Sequence, residues 1–246
     1  MKRPRSGVPT PIPCPGNECQ PERRHPSVAY TSIFLARDIA LAELTGGSLH
    51  LAHISSAGAL RMIRDAKARG LAVTCEITPH HFSLTDEAVR GFDTNTKMNP
   101  PLRAQADVDA ALEALADGTV DAIATDHAPH HADEKALEFD LAPFGIVGLE
   151  TAVALACDRL LHPGHVSLTR LIELMAANPA RILRLDAGDL SEGAVADVTV
   201  LDLRPTATVD TAAFASKARN TPFHGWELKG WPAFTIVGGE IVWRAS

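Results

Sequence analysis

Hydrophobic and polar residues follow two different periods along this chain, and the change between them predicts its helices and strands. From Ser27 to Gly47, apolar residues recur at the spacing of one buried helix face. The apolar run SLHLAHI has the length of a strand, and the stretch AGALRMIRDAKARG after it is amphipathic and ends at a glycine. The alternation continues with the strand LAVTCEI, the helix ADVDAALEALADG and the strand VDAIATD. Strands separated by such helices predict parallel βαβ units.

The pattern changes again in the C-terminal part of the chain. Two more helices are predicted at about residues 150–161 and 168–176. The segments ADVTVLDL and FTIVGGEIVWR then indicate antiparallel strands, with a hairpin at Gly238 and Gly239. We therefore expect an α/β part at residues 27–188 and a small β unit at residues 189–246.

The N-terminal segment differs in composition from everything after it. Residues 1–26 contain seven prolines, five lysine or arginine residues and few apolar side chains. Such a segment cannot bury enough apolar surface to offset the entropy lost on ordering. We therefore expect a disordered leader over these residues.

Composition and charge exclude several classes of partner. The chain has 246 residues, of which 46% are apolar and 22% charged, with a formal charge of −7. This is ordinary for a globular protein and lacks the concentrated basic surface that nucleic-acid binding requires. No apolar run reaches the roughly 18 residues of a membrane span, so no membrane association is predicted. The four cysteines form no CxxC pair, which favours a reducing, cytoplasmic location.

Three consecutive predicted strands end in side chains that can bind metal or transfer protons. His53 follows the first strand, Glu76 the second, and Asp126 and His130 the third. In parallel α/β folds the carboxyl ends of the strands meet on one rim, where reactive groups gather. Imidazole and carboxylate groups suit Zn²⁺ or a similar divalent ion, which lowers the pKa of a bound water. Asp126 is therefore a candidate ligand, general base or both.

The neighbouring histidines have a more ordinary interpretation. His127 and His131, in the segment AIATDHAPHH, are expected to support the turn or to face solvent. His80 and His81 are adjacent in TPHHF and project in different directions, so a structural role is favoured for them.

The chain also contains a set of longer motifs: LHLAHISSAGAL, VTCEITPHHFSLTD, KMNPPLR, ATDHAPH, PFGIVGLET and NTPFHGWELKG. Together they resemble the bacterial type of dihydroorotase, a family within the amidohydrolase superfamily. The resemblance runs from about residue 26 to the C-terminus. Allantoinases and hydantoinases share this architecture, but the combination of TPHH, MNPPLR and DHAPH is more similar to dihydroorotase.

The resemblance implies a (β/α)₈ barrel of the TIM type, a binuclear zinc centre at its strand ends and a composite β-sandwich. This chain would then be an α/β protein carrying about strands six to eight of that barrel and the C-terminal β unit of the sandwich. The implied reaction is the reversible, zinc-dependent hydrolysis of the cyclic amide of dihydroorotate to N-carbamoyl-aspartate in de novo pyrimidine synthesis.

The metal and catalytic residues are carried over position by position. The resemblance implies that His53 binds the second metal. It implies that Asp126 binds the first metal and moves the proton between the attacking water and the leaving nitrogen. Glu76 matches a position near the metals that is a ligand only in some relatives.

The resemblance also implies substrate contacts and partners. Asn99 and His130 match positions that contact the substrate, and Phe144 and Gly145 match a loop whose backbone closes over it. The implied partners are the small molecules dihydroorotate and N-carbamoyl-aspartate, together with a second copy of the chain or aspartate transcarbamoylase.

One departure from the family pattern limits these expectations. The family begins its site with a His-x-His pair on the first strand, and this chain contains none. The fourth-strand carboxylated lysine or aspartate and the fifth-strand histidine have no counterpart either. We therefore expect an incomplete zinc site and little activity from the 246-residue chain by itself.

Three alternatives to a dihydroorotase remain open from the sequence. The first is a non-catalytic, dihydroorotase-like scaffold subunit for aspartate transcarbamoylase. The second is a related cyclic amidase of the allantoinase or hydantoinase type. The third is a truncated reading frame without a stable product.

Overall fold

A computed structural model describes residues 26–245 of the chain. Residues 1–25 of the predicted leader lie outside the described residues. The helices, in chain order, are Pro26–Thr45 (α1), Ala57–Ala68 (α2), Pro79–Ser83 (α3), Gln105–Asp117 (α4), Ala132–Lys135 (α5), Ala152–Ala156 (α6), Leu168–Ile172 (α7) and Asn178–Leu183 (α8). Helices α6 and α7 each continue into a π-helical turn, Cys157–Leu161 and Glu173–Ala177 respectively.

The first sheet contains three parallel strands in chain order: Leu49–Leu51 (β1), Val73–Ile77 (β2) and Ala122–Ile123 (β3). The central strand β2 pairs with β1 on one side and β3 on the other, which places Glu76 opposite Ala122. Helix α2 connects β1 to β2, and α4 precedes β3. The βαβ order predicted from the sequence is therefore confirmed.

Helices α2 and α4 cover this sheet because each has a buried apolar face. Helix α2 begins after Ser56, whose side-chain oxygen accepts a hydrogen bond from the backbone N–H of Ala59. Leu60 and Ile63 of α2 and Leu115 of α4 are at most 1% exposed. Burying such a side chain stabilises the fold by about 1.5–3 kcal/mol. This packing fixes the sheet that carries the candidate site.

The C-terminal part forms a second sheet, as the sequence predicted. Its antiparallel strands are Val198–Thr208 (β4), Glu227–Val237 (β5) and Glu240–Arg244 (β6). The hairpin between β5 and β6 turns at Gly238 and Gly239, whose φ angles of 57° and 86° favour glycine. Phe223 and Leu228 pack against Leu155 of α6 in a buried cluster that joins this sheet to the α/β part.

The strands are shorter than the sequence pattern suggested. The predicted strand at residues 48–54 is regular only over β1, and the one at 120–126 only over β3. His53 and Asp126 therefore lie in loops just beyond the strands, and both have a left-handed backbone. Helix α8 was not predicted as an element, although Pro179 is well placed in its first turn. Between residues 26 and 245, no helix combines the length and apolar character needed to span a membrane.

Candidate active site

The three strand ends bring His53, Glu76 and Asp126 together on one rim of the parallel sheet. His53 Nδ1 lies 2.9 Å from Glu76 Oε1 in an ion-pair contact. On the other side of the ring, His53 Nε2 lies 3.6 Å from Asp126 Oδ1. Glu76 uses its second oxygen to contact His50 Nε2 at 3.2 Å. The structure therefore brings together the three residues that the sequence singled out, and it adds His50 to them.

Two of these residues have an unusual backbone. The φ angle is 53° at His53 and 46° at Asp126, in the left-handed region that non-glycine residues seldom adopt. Phe92 and Arg184 are the other non-glycine residues with positive φ in the described part of the chain. Strain of this kind, which costs about 1–3 kcal/mol per residue, is often found where side chains must be aimed at a ligand. Here it turns both side chains towards each other at the strand ends.

The electrostatics of the cluster favour a charged carboxylate beside His53. The pKa of His53 is raised, chiefly by its interaction with Glu76 and against the effect of partial burial. Burial by itself raises the pKa of Glu76, but the contacts with His53 and His50 more than offset it and the pKa is lowered. Glu76 is therefore an anion that holds His53 through Nδ1 and leaves Nε2 directed at Asp126.

The side chains of this cluster are of the types that bind zinc, but they are fewer than a zinc site normally has. An imidazole nitrogen and a carboxylate oxygen 3.6 Å apart are donors of the types that zinc binds. Among residues 26–245, no group of three or more metal-competent side chains is close enough to hold an ion. A catalytic zinc normally has three protein ligands. The described residues therefore fit part of such a centre.

The remaining histidines of the segment AIATDHAPHH organise the loops around Asp126. His127 Nδ1 accepts backbone hydrogen bonds from Gly148 at 3.1 Å and Leu149 at 3.3 Å. His131 caps helix α5, since its Nδ1 accepts a 3.2 Å hydrogen bond from the backbone of Asp133. These contacts give both residues the supporting roles expected from the sequence.

His130 contacts the loop that contains Phe144 and Gly145. Its Nε2 lies 2.8 Å from the carbonyl oxygen of Phe144, so this nitrogen carries the proton and donates. Gly145 has a φ angle of 133°, and a Cβ there would lie 2.5 Å from the Ala128 Cβ and 3.1 Å from His130 Nε2. Only glycine fits at this close approach. Three of the four implied substrate positions are thus brought together.

The fourth implied substrate position, Asn99, lies apart from these contacts. It is exposed and makes no hydrogen bond to the described part of the chain. The adjacent pair His80 and His81 is buried, at 0% and 4% exposure. His81 uses both ring nitrogens, contacting Thr78 Oγ1 at 2.8 Å and the carbonyl oxygen of Pro100 at 2.9 Å. His81 therefore supports the loop that presents Asn99.

Two buried lysines were not singled out by the sequence. Lys97 Nζ donates to the carbonyl oxygens of Asp140 at 3.0 Å and Ala142 at 2.6 Å. Lys135 Nζ donates to those of Pro143 at 3.0 Å and Gly145 at 3.1 Å. The two ammonium groups thereby hold the backbone of residues 140–145 in place. Lys97 is the first residue of the motif KMNPPLR, but nothing in that motif indicated this role.

A cavity of about 690 Å³ opens beside His130 and is separate from the strand-end cluster. Asn95, Lys135 and Asn220 contribute to its wall, whereas neither His53 nor Asp126 lines it. The strand-end pair His53 and Asp126 thus does not face this cavity.

Comparison with known proteins matches this chain to one family. The model of the amidohydrolase family matches residues 36–242. The chain is 61% identical over 209 residues to the dihydroorotase of Geobacter metallireducens, an overlap that covers 85% of this chain and 49% of the relative. It is 57% identical over 210 residues to the dihydroorotase of Pelotomaculum thermopropionicum, covering 85% and 49% respectively. The chain thus spans about half the length of the curated relatives that it matches.

Solved structures agree on the fold. The L-hydantoinase (dihydropyrimidinase) from Arthrobacter aurescens superposes with a TM-score of 0.83 at 28% identity, covering 89% of this chain and 51% of that chain. The D-hydantoinase (dihydropyrimidinase) from a Thermus species gives a TM-score of 0.81 at 28% identity, covering 87% and 48%. The described residues therefore have part of a TIM-barrel-like fold.

Proposed function

The chain belongs to the amidohydrolase family, and from that premise we propose that it carries the proton-transfer side of a dihydroorotase active site. The observation that carries the proposal is the convergence of His53, Glu76 and Asp126 on one rim, with His53 Nε2 facing Asp126 at 3.6 Å. Relatives named dihydroorotase at 57–61% identity support this substrate in preference to another cyclic amide. The three strands β1, β2 and β3 would be strands six, seven and eight of the barrel.

Two residues would hold a divalent ion, which this family generally requires. His53 would bind through Nε2 and Asp126 through a carboxylate oxygen, and zinc is the ion that this donor pair suits. A bound divalent ion supplies a water that ionises near neutral pH. Because the described residues provide two donors, the proposal requires further ligands from outside them.

Asp126 is the residue that moves the proton in the proposed reaction. Water adds to the ring carbonyl carbon of dihydroorotate, and the bond between that carbon and the ring nitrogen breaks. The Asp126 carboxylate accepts a proton from the attacking water and donates it to the departing amide nitrogen. The proton count therefore balances without another acid. Glu76 takes no part in this transfer and holds the His53 ring.

The substrate would lie between the strand-end cluster and the loops that flank it. His130 and the Phe144–Gly145 loop would contact the ring, and Asn99 would contact it from the loop before α4. The Gly145 backbone is already fully used, because its N–H donates to the Lys97 carbonyl oxygen at 2.8 Å and its own carbonyl accepts from Lys135. The Phe144 N–H is thus the backbone donor that this loop offers.

The experiment is a comparison of cyclic amides on the purified chain with added Zn²⁺. Binding is measured by titration calorimetry and ring opening by the loss of substrate absorbance, for dihydroorotate, hydantoin and allantoin. We expect the chain to prefer dihydroorotate, and Asp126→Asn to abolish any ring opening. Preference for hydantoin or allantoin would assign the site to a different cyclic amidase. Binding of none of the three by the zinc-loaded chain would reject the proposal.

A further inference from the structure

Asn220 lies at the point where three segments of the candidate site meet. It is 4% exposed and lies in the segment before β5, far in sequence from both loops that it contacts. Its side-chain Oδ1 accepts a hydrogen bond of 3.1 Å from the backbone N–H of His130. Its Nδ2 donates to the carbonyl oxygens of Ala128 at 2.9 Å and Gly145 at 3.1 Å. One carboxamide therefore bridges the His130 loop and the Gly145 loop.

We propose that Asn220 is a positioning residue that fixes the distance between His130 and the Phe144–Gly145 loop and thereby determines how tightly the site holds a cyclic amide. The proposal takes its substrate from the proposed function, whereas the hydrogen bonds of Asn220 do not depend on that function. Asn220 touches neither reacting atoms nor a metal ligand and acts through the two loops.

The two loops need such a connection because their direct contacts are few. Ala128 N donates to the carbonyl oxygen of Ile146 at 3.1 Å, and His130 Nε2 donates to that of Phe144 at 2.8 Å. Gly145 has no side chain of its own and lies against the Ala128 Cβ and the His130 ring. The Asn220 side chain adds a further bridge, and its own carbonyl oxygen accepts from Val147 N at 3.0 Å.

The chemistry of the position requires a carboxamide. Asparagine offers one acceptor and two donors, and here the acceptor faces an N–H while the donors face two carbonyl oxygens. An aspartate would place an unprotonated oxygen against those carbonyls, and an apolar residue would leave all three backbone groups without this partner. A buried backbone group without a partner is costly, so the loops would move apart to reach water.

The test compares Asn220→Ala with Asn178→Ala in the full chain. Asn178 is the matched control because its Nδ2 also donates to a backbone carbonyl oxygen, that of Asp121 at 2.9 Å, at the other end of the sheet. Amide hydrogen exchange is followed by NMR, with the Nε2–H signal of His130 as a site-specific marker. Dihydroorotate binding is measured on the same samples.

For Asn220→Ala we expect exchange at the His130, Gly145 and Val147 amides to accelerate about tenfold or more, the factor for one lost hydrogen bond. Exchange at the Cys75 and Ile77 amides of β2 should not change. The His130 Nε2–H signal should be lost, and dihydroorotate should bind at least about tenfold more weakly. Asn178→Ala should leave all these loop signals unaltered.

Unchanged loop exchange, or an equal acceleration in β2, would overturn the proposal. If the unsubstituted chain fails to bind dihydroorotate, the proposed function fails, whereas the exchange data still decide the role of Asn220. If Asn220→Ala does not fold, the unsubstituted chain gives the answer through the side-chain NH₂ of Asn220. Slow exchange of that NH₂ supports the bridge, and exchange at the rate of a free carboxamide overturns it.

Discussion

His53 Nε2 and Asp126 Oδ1 face each other across 3.6 Å at the ends of two strands that do not pair with each other. Strand β2 lies between them and contributes Glu76, which contacts His53 from the opposite side at 2.9 Å. Because both facing residues have a left-handed backbone, their directions are determined by the loops and not by the strand register. The loops therefore position the two side chains together, and the Glu76 carboxylate lies on the other side of the His53 ring.

Removing either member of this pair should weaken metal binding. We expect His53→Ala and Asp126→Ala each to reduce the Zn²⁺ affinity of the chain by at least about tenfold, since each removes one of two donors. A chelator competition titration measures this. His131→Ala is the control, because that imidazole is exposed and caps α5. Equal zinc affinity in all three variants would contradict the assignment.

Glu76 should affect metal binding through His53. Glu76→Gln keeps the size of the side chain but removes the charge that holds the His53 ring, and loss of such a partner lowers metal affinity by about 10–100-fold. The same chelator competition titration measures the zinc affinity of the variant. Thr74→Val is the matched control, since Thr74 Oγ1 contacts His50 Nδ1 at 2.8 Å and has no contact with His53. The prediction fails if Thr74→Val reduces affinity as much as Glu76→Gln does.

Gly145→Ala should destabilise the chain more than an alanine at another left-handed glycine. The new Cβ would lie 2.5 Å from the Ala128 Cβ, in addition to the strain of a φ angle of 133°. Gly164 has a φ angle of 82° with open space around it, so Gly164→Ala measures strain without the clash. We expect the difference between the two to be about 1–3 kcal/mol in the free energy of unfolding. Urea denaturation measures this difference. Equal losses of stability in the two variants would contradict a steric clash at position 145.

The buried lysines should stabilise the backbone of residues 140–145. Lys135 is 7% exposed, and its pKa is lowered by burial and then by the charge of Lys97. Lys135→Met keeps the apolar stem but removes the donor to the Pro143 carbonyl oxygen, a cost of about 1–3 kcal/mol for an unpaired group, and leaves the Gly145 carbonyl oxygen with Asn220 as its donor. We expect lower stability and faster proteolysis between residues 137 and 147. Lys217→Met, at an exposed lysine, should change neither, and resistance of the Lys135 variant to protease would argue against the role.

Acid should destabilise the chain partly through its buried histidines. Burial lowers the pKa of His80 to about 3 and that of His81 to about 4, whereas an unfolded imidazole titrates near 6.5. The stability they contribute is fully present above pH 6.5 and is lost progressively as the pH falls towards those folded values.

His80→Phe isolates one part of this pH dependence. Phenylalanine keeps the ring that stacks on Phe223 at 5.8 Å but cannot bind a proton. Between pH 6 and pH 4, the free energy of unfolding of the variant should fall less steeply, by about 1.4 kcal/mol per pH unit. Urea denaturation at several pH values gives the slopes. Identical slopes for the variant and the unsubstituted chain would show that His80 does not titrate on unfolding.

Most of the secondary structure could be predicted because it follows from local pattern. The helices α2 and α4, the strand β2 and the Gly238–Gly239 hairpin lie where apolar periodicity and turn glycines placed them. The strands β1 and β3 were predicted too long, because their pairing is regular only over Leu49–Leu51 and Ala122–Ile123 and the chain then turns through the left-handed residues His53 and Asp126. Backbone strain of this kind leaves no mark on hydrophobic periodicity.

The sequence by itself determined which side chains follow the strands, and the rule that parallel strands end on one rim was enough to group His53, Glu76 and Asp126. Only the tertiary structure decided what each of them faces, since those directions depend on loop backbone angles. It also decided that Lys97, Lys135 and Asn220 bind the backbone of the loops around Phe144 and His130. Their hydrogen bonds go to backbone carbonyl and N–H groups, which every residue carries, so side-chain identity along the chain gives no signal of them.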